Sequence, residues 1–333
     1  MKICVAGLGS ISKRHIKNLK RLYPDADIDI LRHVKNVATD YDPASGVSAD
    51  LVANTGDSVS TDSEYGHEVY SVEALKDKYD AVFITNPTTL HMTTLKKLID
   101  RSDAFFIEKP LRPIMHADTS GISVNEDMNI IDELPDDKVF YVACPMRYTT
   151  VVRWLKDNLD PSSVLSIRAI SSSYLPEWRP GTDYSKCYSA RRSLGGGVAA
   201  DLIHEWDYIS YIFGRPDKIM SIERKLSSLD ADVEDIAVYI GEYPDKIAEV
   251  HLDYFGRSTR RELELFTTDD TIICDFINNK ITYLKSGRVI ELDEERDDYQ
   301  TAELKHFFDI AEGRIANDSS AHEAEALLEL IEI

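Results

Sequence analysis

Ile3-Cys4-Val5-Ala6-Gly7-Leu8-Gly9-Ser10-Ile11-Ser12 packs an apolar strand, a glycine turn and the start of a helix into one short run. This is the context a dinucleotide fingerprint needs. Gly7 permits the tight turn, and Gly9 lets the backbone approach a pyrophosphate. The helix that opens behind them offers unpaired N–H donors and a partial positive charge. Gly7, Leu8, Gly9, Ser10 and Ile11 are therefore the first cofactor-binding candidates. Ser12 stands where a third glycine is usual, which predicts looser packing of helix on strand.

The pattern continues outward from this turn. Helical periodicity covers 12–23, and apolar strand-like runs follow at 28–31, 67–72, 81–85 and 104–107, with a helix over 88–100 and a closing strand at 139–144. Strands alternating with helices predict a doubly wound parallel sheet of the Rossmann type. The stretch 39–64 is polar and weakly periodic and receives no function. The second half changes grammar. Runs at 164–174, 218–226, 236–241, 248–255, 262–267 and 271–276 succeed one another with turn signals between them, among them Thr268-Asp269-Asp270, Asn278-Asn279 and Ser286-Gly287. The fold expected is α/β: a dinucleotide-binding Rossmann domain over 1–145, then an α+β domain over 146–333 with a large, mainly antiparallel sheet for substrate and oligomer contacts.

Composition narrows the function. The 333 residues carry a net charge of -21, which argues against nucleic acid and anionic membrane as partners. No apolar run approaches the roughly 20 residues of a membrane span. Cys4, Cys144, Cys187 and Cys274 are widely spaced, so neither a metal site nor a disulfide framework is expected, and a reducing cytoplasm fits.

In an open parallel sheet the ligand crevice lies outside the carboxyl ends of the strands. Several candidates fall there. Arg32 and His33 end the second strand, where an NAD enzyme usually has an acid; a guanidinium can pair with a 2′-phosphate, so the cofactor is NAD or NADP with a lean to NADP. Thr85, Asn86 and Pro87 end the fourth strand and wall the nicotinamide side, with His91 in the helix behind. Glu108-Lys109-Pro110 ends the fifth: Glu108 can accept from a ribose hydroxyl, and the Lys109 ammonium can stabilise a developing alkoxide. In the second half, Gly195-Gly196-Gly197 leads into a helix predicted to carry Asp201 and His204 on one face, three positions apart. Trp178, Arg179, Tyr184, Arg191 and Arg192 form a loop suited to a sugar or an acidic substituent, and Arg147 and Tyr148 are further substrate candidates.

Together these motifs resemble the glucose–fructose oxidoreductase, inositol dehydrogenase and MocA (Gfo/Idh/MocA) family. That resemblance implies that Lys109, Asp201 and His204 serve the proton transfer accompanying hydride transfer. It also implies a homodimer or homotetramer. Many members separate the aspartate and histidine by four positions; here the gap is three, which leaves the part of Asp201 less fixed than that of His204. The expected function is an NAD(P)-dependent dehydrogenase acting on a hydroxyl of a sugar, polyol or nucleotide-linked sugar. The alternative is a non-catalytic dinucleotide-sensing regulator, which would be expected to lack the lysine or histidine that this chain has. An oxidoreductase that retains and recycles its cofactor is a third reading.

Overall fold

The structure, a computed structural model, describes residues 1–32, 61–115 and 126–332, of which Thr61 and 126–129 are described by their backbone alone. His33 and most of the 39–64 stretch lie outside the described residues. The chain divides into two compact units. One is built from Met1–Arg112, the stretch ending at Ala143, and Glu303–Ala324. The other is built around Cys144–Ala302 and takes the chain from Glu325 onward. The expected 146–333 domain is thus interrupted by a segment that packs with the first unit.

In the first unit β1 (Lys2–Ala6), α1 (Ser10–Leu22), β2 (Asp27–Leu31), β3 (Thr61–Asp62), β4 (His67–Val69), β5 (Ala81–Ile84), α2 (His91–Leu98), β6 (Ala104–Ile107) and β7 (Val139–Val142) follow in order. The strands lie as β3-β4-β2-β1-β5-β6-β7. Six are parallel, and the two-residue β3 runs antiparallel to β4. The chain moves out from β1 to β2 and β4, then restarts on the other side with β5. That reversal places the switch point between the ends of β1 and β5, where Gly7 and Thr85 sit. β5 and β6 are buried at every position, as strands covered on both faces require. The core is strongly aromatic: Phe83 stacks on Phe106 at 4.9 Å, and Phe307 meets both edge-on.

The second unit carries α3 (Thr150–Asn158), β8 (Val164–Tyr174), α4 (Val198–Asp201), α5 (His204–Phe213), β9 (Lys218–Arg224), β10 (Ile236–Glu242), β11 (Ile247–Asp253), β12 (Phe255–Thr267), β13 (Thr271–Asp275), β14 (Lys280–Tyr283) and β15 (Val289–Glu291). Their order is β15-β14-β13-β12-β8-β11-β10-β9, antiparallel except for the parallel β8–β11 pair. The last two strands are additions to the expected set. Their turns were legible: Asn279 takes φ 49° and Gly287 φ 72°, the left-handed values such connections use. One face of the sheet is apolar and buried, with Ile167, Ala169, Leu263 and Leu265 all inaccessible. On the other face Arg168 bridges Glu249 and Glu264, while Met220 and Ile222 stand exposed on β9. α6 (Asp298–Ala311) and α7 (Ala321–Ile331) close the chain.

All four cysteines are free, and three are buried; burial pushes the Cys4 and Cys274 thiols up. Among the described residues no helix is long and apolar enough to cross a membrane, and no group of His, Cys, Asp or Glu could hold a metal.

Candidate active site

The glycine turn leaves β1 at Gly7, whose φ of 99° favours glycine and whose added Cβ would press on Asn86 Cα at 3.1 Å. Gly9 caps α1 with no side chain of its own, and the first turn of the helix holds no acid. Among the described residues, a Cβ at Gly9 would meet only Ser12 Oγ, at 4.0 Å. Gly9 and Ser10 are exposed. Among the described residues this helix N-terminus has no side-chain cap, and it fits a pyrophosphate. Ser12 bonds across the turn. Its buried Oγ accepts from Gly9 N–H at 3.1 Å and lies 2.8 Å from Thr85 Oγ1, whose hydroxyl also donates to the Ala6 carbonyl at 2.9 Å. The turn is thereby tied to the end of β5.

The Asn86 side chain donates to Thr94 Oγ1 at 2.8 Å, while its amide oxygen Oδ1 is buried without a partner among the described residues. His91 is enclosed. One ring nitrogen faces the Asn86 carbonyl at 2.9 Å, the other the Pro110 and Leu111 carbonyls at 3.1 and 3.3 Å. Burial lowers its pKa, against the pull of those carbonyls. A side chain so placed braces the Asn86 turn against the Pro110 turn and does not present itself to a ligand.

Lys109 follows β6, half-buried, with a cis peptide bond to Pro110. The preceding Glu108 is engaged inside the chain. Its Oε1 lies 2.5 Å from His15 Nε2, and its Oε2 accepts from Lys109 N–H at 3.3 Å. A ribose contact by this carboxylate, as expected from sequence, would compete with both bonds. His15 had no place among the sequence candidates. The available signal was a histidine on the apolar stripe of α1, where a ring nitrogen needs a partner.

Arg32 is also engaged: Nη1 donates to Glu68 Oε2 at 3.1 Å, on the same oxygen that accepts from the Tyr70 hydroxyl.

The second unit holds the remaining candidates. The helix expected to carry Asp201 and His204 is two helices: α4 ends at Asp201 and α5 begins at His204, so the two residues do not share a regular helical face. Different anchors set the two axes. At α4, Val198 and Ala199 N–H donate to the Glu234 carbonyl and carboxylate. Gly197 makes room for that carboxylate, since a Cβ there would sit 2.1 Å from Glu234 Oε1. On α5, Glu205 pairs with Arg261 at 2.6 Å and Asp207 with Arg147 at 2.6 Å. Arg147, expected to bind substrate, is thus a clamp on the helix of His204, and it also lies over the Tyr211 ring.

Asp201 Oδ2 accepts from the Tyr254 hydroxyl at 2.7 Å. Tyr254 is fully buried, and burial first, then Asp201, pushes its pKa well up, so it stays a donor. Trp178 meets Tyr254 edge-on at 5.3 Å and donates its indole N–H to Ser173. Tyr184 accepts from Asp230 N–H, and Arg179 is exposed. Arg191 faces Asp230 and Asp232, and Arg192 faces Glu234 at 3.9 Å, so both cations are partly matched by the chain's own acids. Tyr148 is half-buried beside Arg147 in sequence.

Residues 1–130 match the model of the Gfo/Idh/MocA family, described as an oxidoreductase family with an NAD-binding Rossmann fold. The match takes in the Gly7–Gly9 turn, Thr85-Asn86-Pro87 and Glu108-Lys109-Pro110, and the resemblance these motifs carry holds. Solved structures share the fold over the whole chain. An oxidoreductase of Thermotoga maritima is 18% identical with a TM-score of 0.73, covering 100% of this chain and 94% of that one. UDP-N-acetylglucosamine 3-dehydrogenase of Acidithiobacillus ferrooxidans is 18% identical at 0.69, covering 99% and 94%. The WlbA dehydrogenase of Bordetella pertussis, solved with NADH and UDP-GlcNAcA, is 14% identical at 0.68, covering 99% and 95%. No curated protein matches.

Proposed function

We propose that the protein is an NAD-dependent dehydrogenase that oxidises a hydroxyl-bearing carbon of a sugar or nucleotide-linked sugar, or reduces the corresponding ketone. The observation that carries this reading is the uncapped α1 N-terminus in the same unit as a lysine delivered by the carboxyl end of β6. When bound, the nicotinamide supplies a hydride acceptor. The chain's own residues handle the oxygen and its proton. Lys109 stabilises charge on the substrate oxygen, and His204 takes the hydroxyl proton as the C–O bond gains double-bond character. Asp201, held by Tyr254, orients the donors around it. Trp178, Tyr148 and the loop through Arg192 supply the polar and aromatic contacts a sugar needs. The nucleotide-sugar ligand of the WlbA structure supports that substrate class. Arg32, paired with Glu68, favours NAD over NADP. We further propose a homo-oligomer built on the solvent face of β8, β11, β10 and β9, where Met220 and Ile222 are exposed.

The test is a panel of sugars, polyols and nucleotide sugars screened by the absorbance of reduced nicotinamide. On the substrate found, Lys109→Ala and His204→Ala should each lower turnover by about 10²–10⁴-fold. The double variant should lose less than the product, because residues acting as a unit are not additive. Wild-type turnover in either single variant removes that residue from the reaction.

A further inference from the structure

His15 is a buried histidine that the reaction above does not use. It stands on the inner stripe of α1 with Ser12, Ile16, Asn18 and Leu19, and only 1% of it is exposed. Its ring meets Phe106 edge-on at 5.0 Å and Phe83 at 5.9 Å. Nε2 lies 2.5 Å from Glu108 Oε1, and Nδ1 has no hydrogen-bond partner among the described residues. Burial alone would push the Glu108 carboxyl up. The His15 bond and the nearby Lys109 charge outweigh it and hold Glu108 below the usual range. An ionised carboxylate only accepts, so Nε2 carries the hydrogen of this bond. The other Glu108 oxygen accepts from the Lys109 backbone N–H at 3.3 Å. One carboxylate therefore joins a helix that begins at the glycine turn to the main chain of Lys109, across 93 positions of sequence.

We propose that His15 is a positioning residue for Lys109, acting through Glu108. The bond fixes where the lysine's main chain leaves β6, and so where the ammonium stands relative to the turn that would hold the pyrophosphate. An apolar pair of similar volume would fill the same aromatic cage, and such replacements are often neutral for stability. What the polar pair adds is direction: a single hydrogen bond with one geometry. The consequence for turnover rests on the reading of Lys109 as catalytic, whereas the placement of Lys109 does not.

The experiment separates the two. In the wild-type chain, long-range ¹H–¹⁵N spectra should show a hydrogen on His15 Nε2; an Nε2 without one overturns the proposal. The reactivity of Lys109 toward acetic anhydride, read by mass spectrometry against the exposed Lys218, needs no substrate. His15→Leu should change it beyond replicate scatter, while His15→Gln, whose amide N–H reaches the Nε2 position, should restore it. Unchanged reactivity in His15→Leu overturns the proposal. An equal change in both variants, which would mean that packing and not the bond matters, overturns it too. On a found substrate, His15→Leu should lower turnover by up to about 10²-fold, the scale of a misplaced catalytic group. NADH affinity by calorimetry should stay near wild type. If Lys109→Ala proves fully active, the catalytic reading fails, and the acetylation result still judges His15 by itself.

Discussion

A guanidinium at the end of β2 grips a 2′-phosphate only while its charge is uncommitted, and Glu68 takes that charge at 3.1 Å. Glu68→Gln should therefore tighten NADP by about tenfold, ~1.4 kcal/mol, and leave NAD nearly unchanged. Adding Arg32→Ala should abolish the gain. Calorimetry with both cofactors reads this, and an unmoved NADP-to-NAD ratio would mean that Arg32 does not face the 2′ position. The same residues show what a sequence can express. Gly7 and the position of Lys109 were legible because each serves a local need: a left-handed φ, and a cation at a strand end. The meaning of Arg32 and Glu108 was not local. It depended on Glu68, 36 positions away, and His15, 93 positions away, and neither carries a mark that names its partner.

At the scale of elements, the long strands were readable from alternation, and β8 occupies the expected span. β14 and β15 were not, because runs of four and three residues carry too little periodicity to stand out. The break between α4 and α5 was invisible for another reason: the sequence through Leu202-Ile203 is compatible with a continuous helix, and the anchors that split it come from Glu234, Arg147 and Arg261. Of these, the Arg261–Glu205 pair is the most enclosed on its acidic side, Glu205 being inaccessible. Arg261→Met alone leaves that carboxylate buried without its partner and should destabilise by about 3–5 kcal/mol. Arg261→Met with Glu205→Leu should recover most of the loss. Urea titration followed by tryptophan emission suits the test, since Trp206 lies on α5. A double variant as weak as the single one would show that the pair contributes direct attraction beyond the cost of an orphaned charge.

For the whole molecule, the sequence marked a change of grammar near residue 145 but not the return of Glu303–Ala324 to the first unit. An amphipathic helix announces an apolar face without saying which core will receive it; here Phe307 joins Phe83 and Phe106. The shifted titratable groups give the chain two responses to acid in different pH ranges. In the second unit burial would raise Asp235 and Asp253, but hydrogen bonds from Ser227, Leu226 and Lys225, and from His251, Ser172 and Phe255, bring them below the usual range. Groups with depressed carboxyl pKa values stabilise fully above their unfolded pKa of about 4, and that stability is lost as pH falls through the folded values. In the first unit His91 is held neutral by burial, so its folded pKa lies below its unfolded value of about 6.5. The unfolded chain then binds the extra proton, and stability falls as pH drops below about 6.5, by up to ~1.4 kcal/mol per pH unit. All three tryptophans, Trp154, Trp178 and Trp206, belong to the second unit, so their emission reports that unit, whereas circular dichroism reports both. Between about pH 6.5 and 5 the urea midpoint by circular dichroism should fall, and His91→Gln should flatten that slope. The loss below about pH 4 should persist in the variant, because the carboxylates that cause it are untouched. A slope that survives in His91→Gln would assign it to another group and leave the buried imidazole with no part in the acid response.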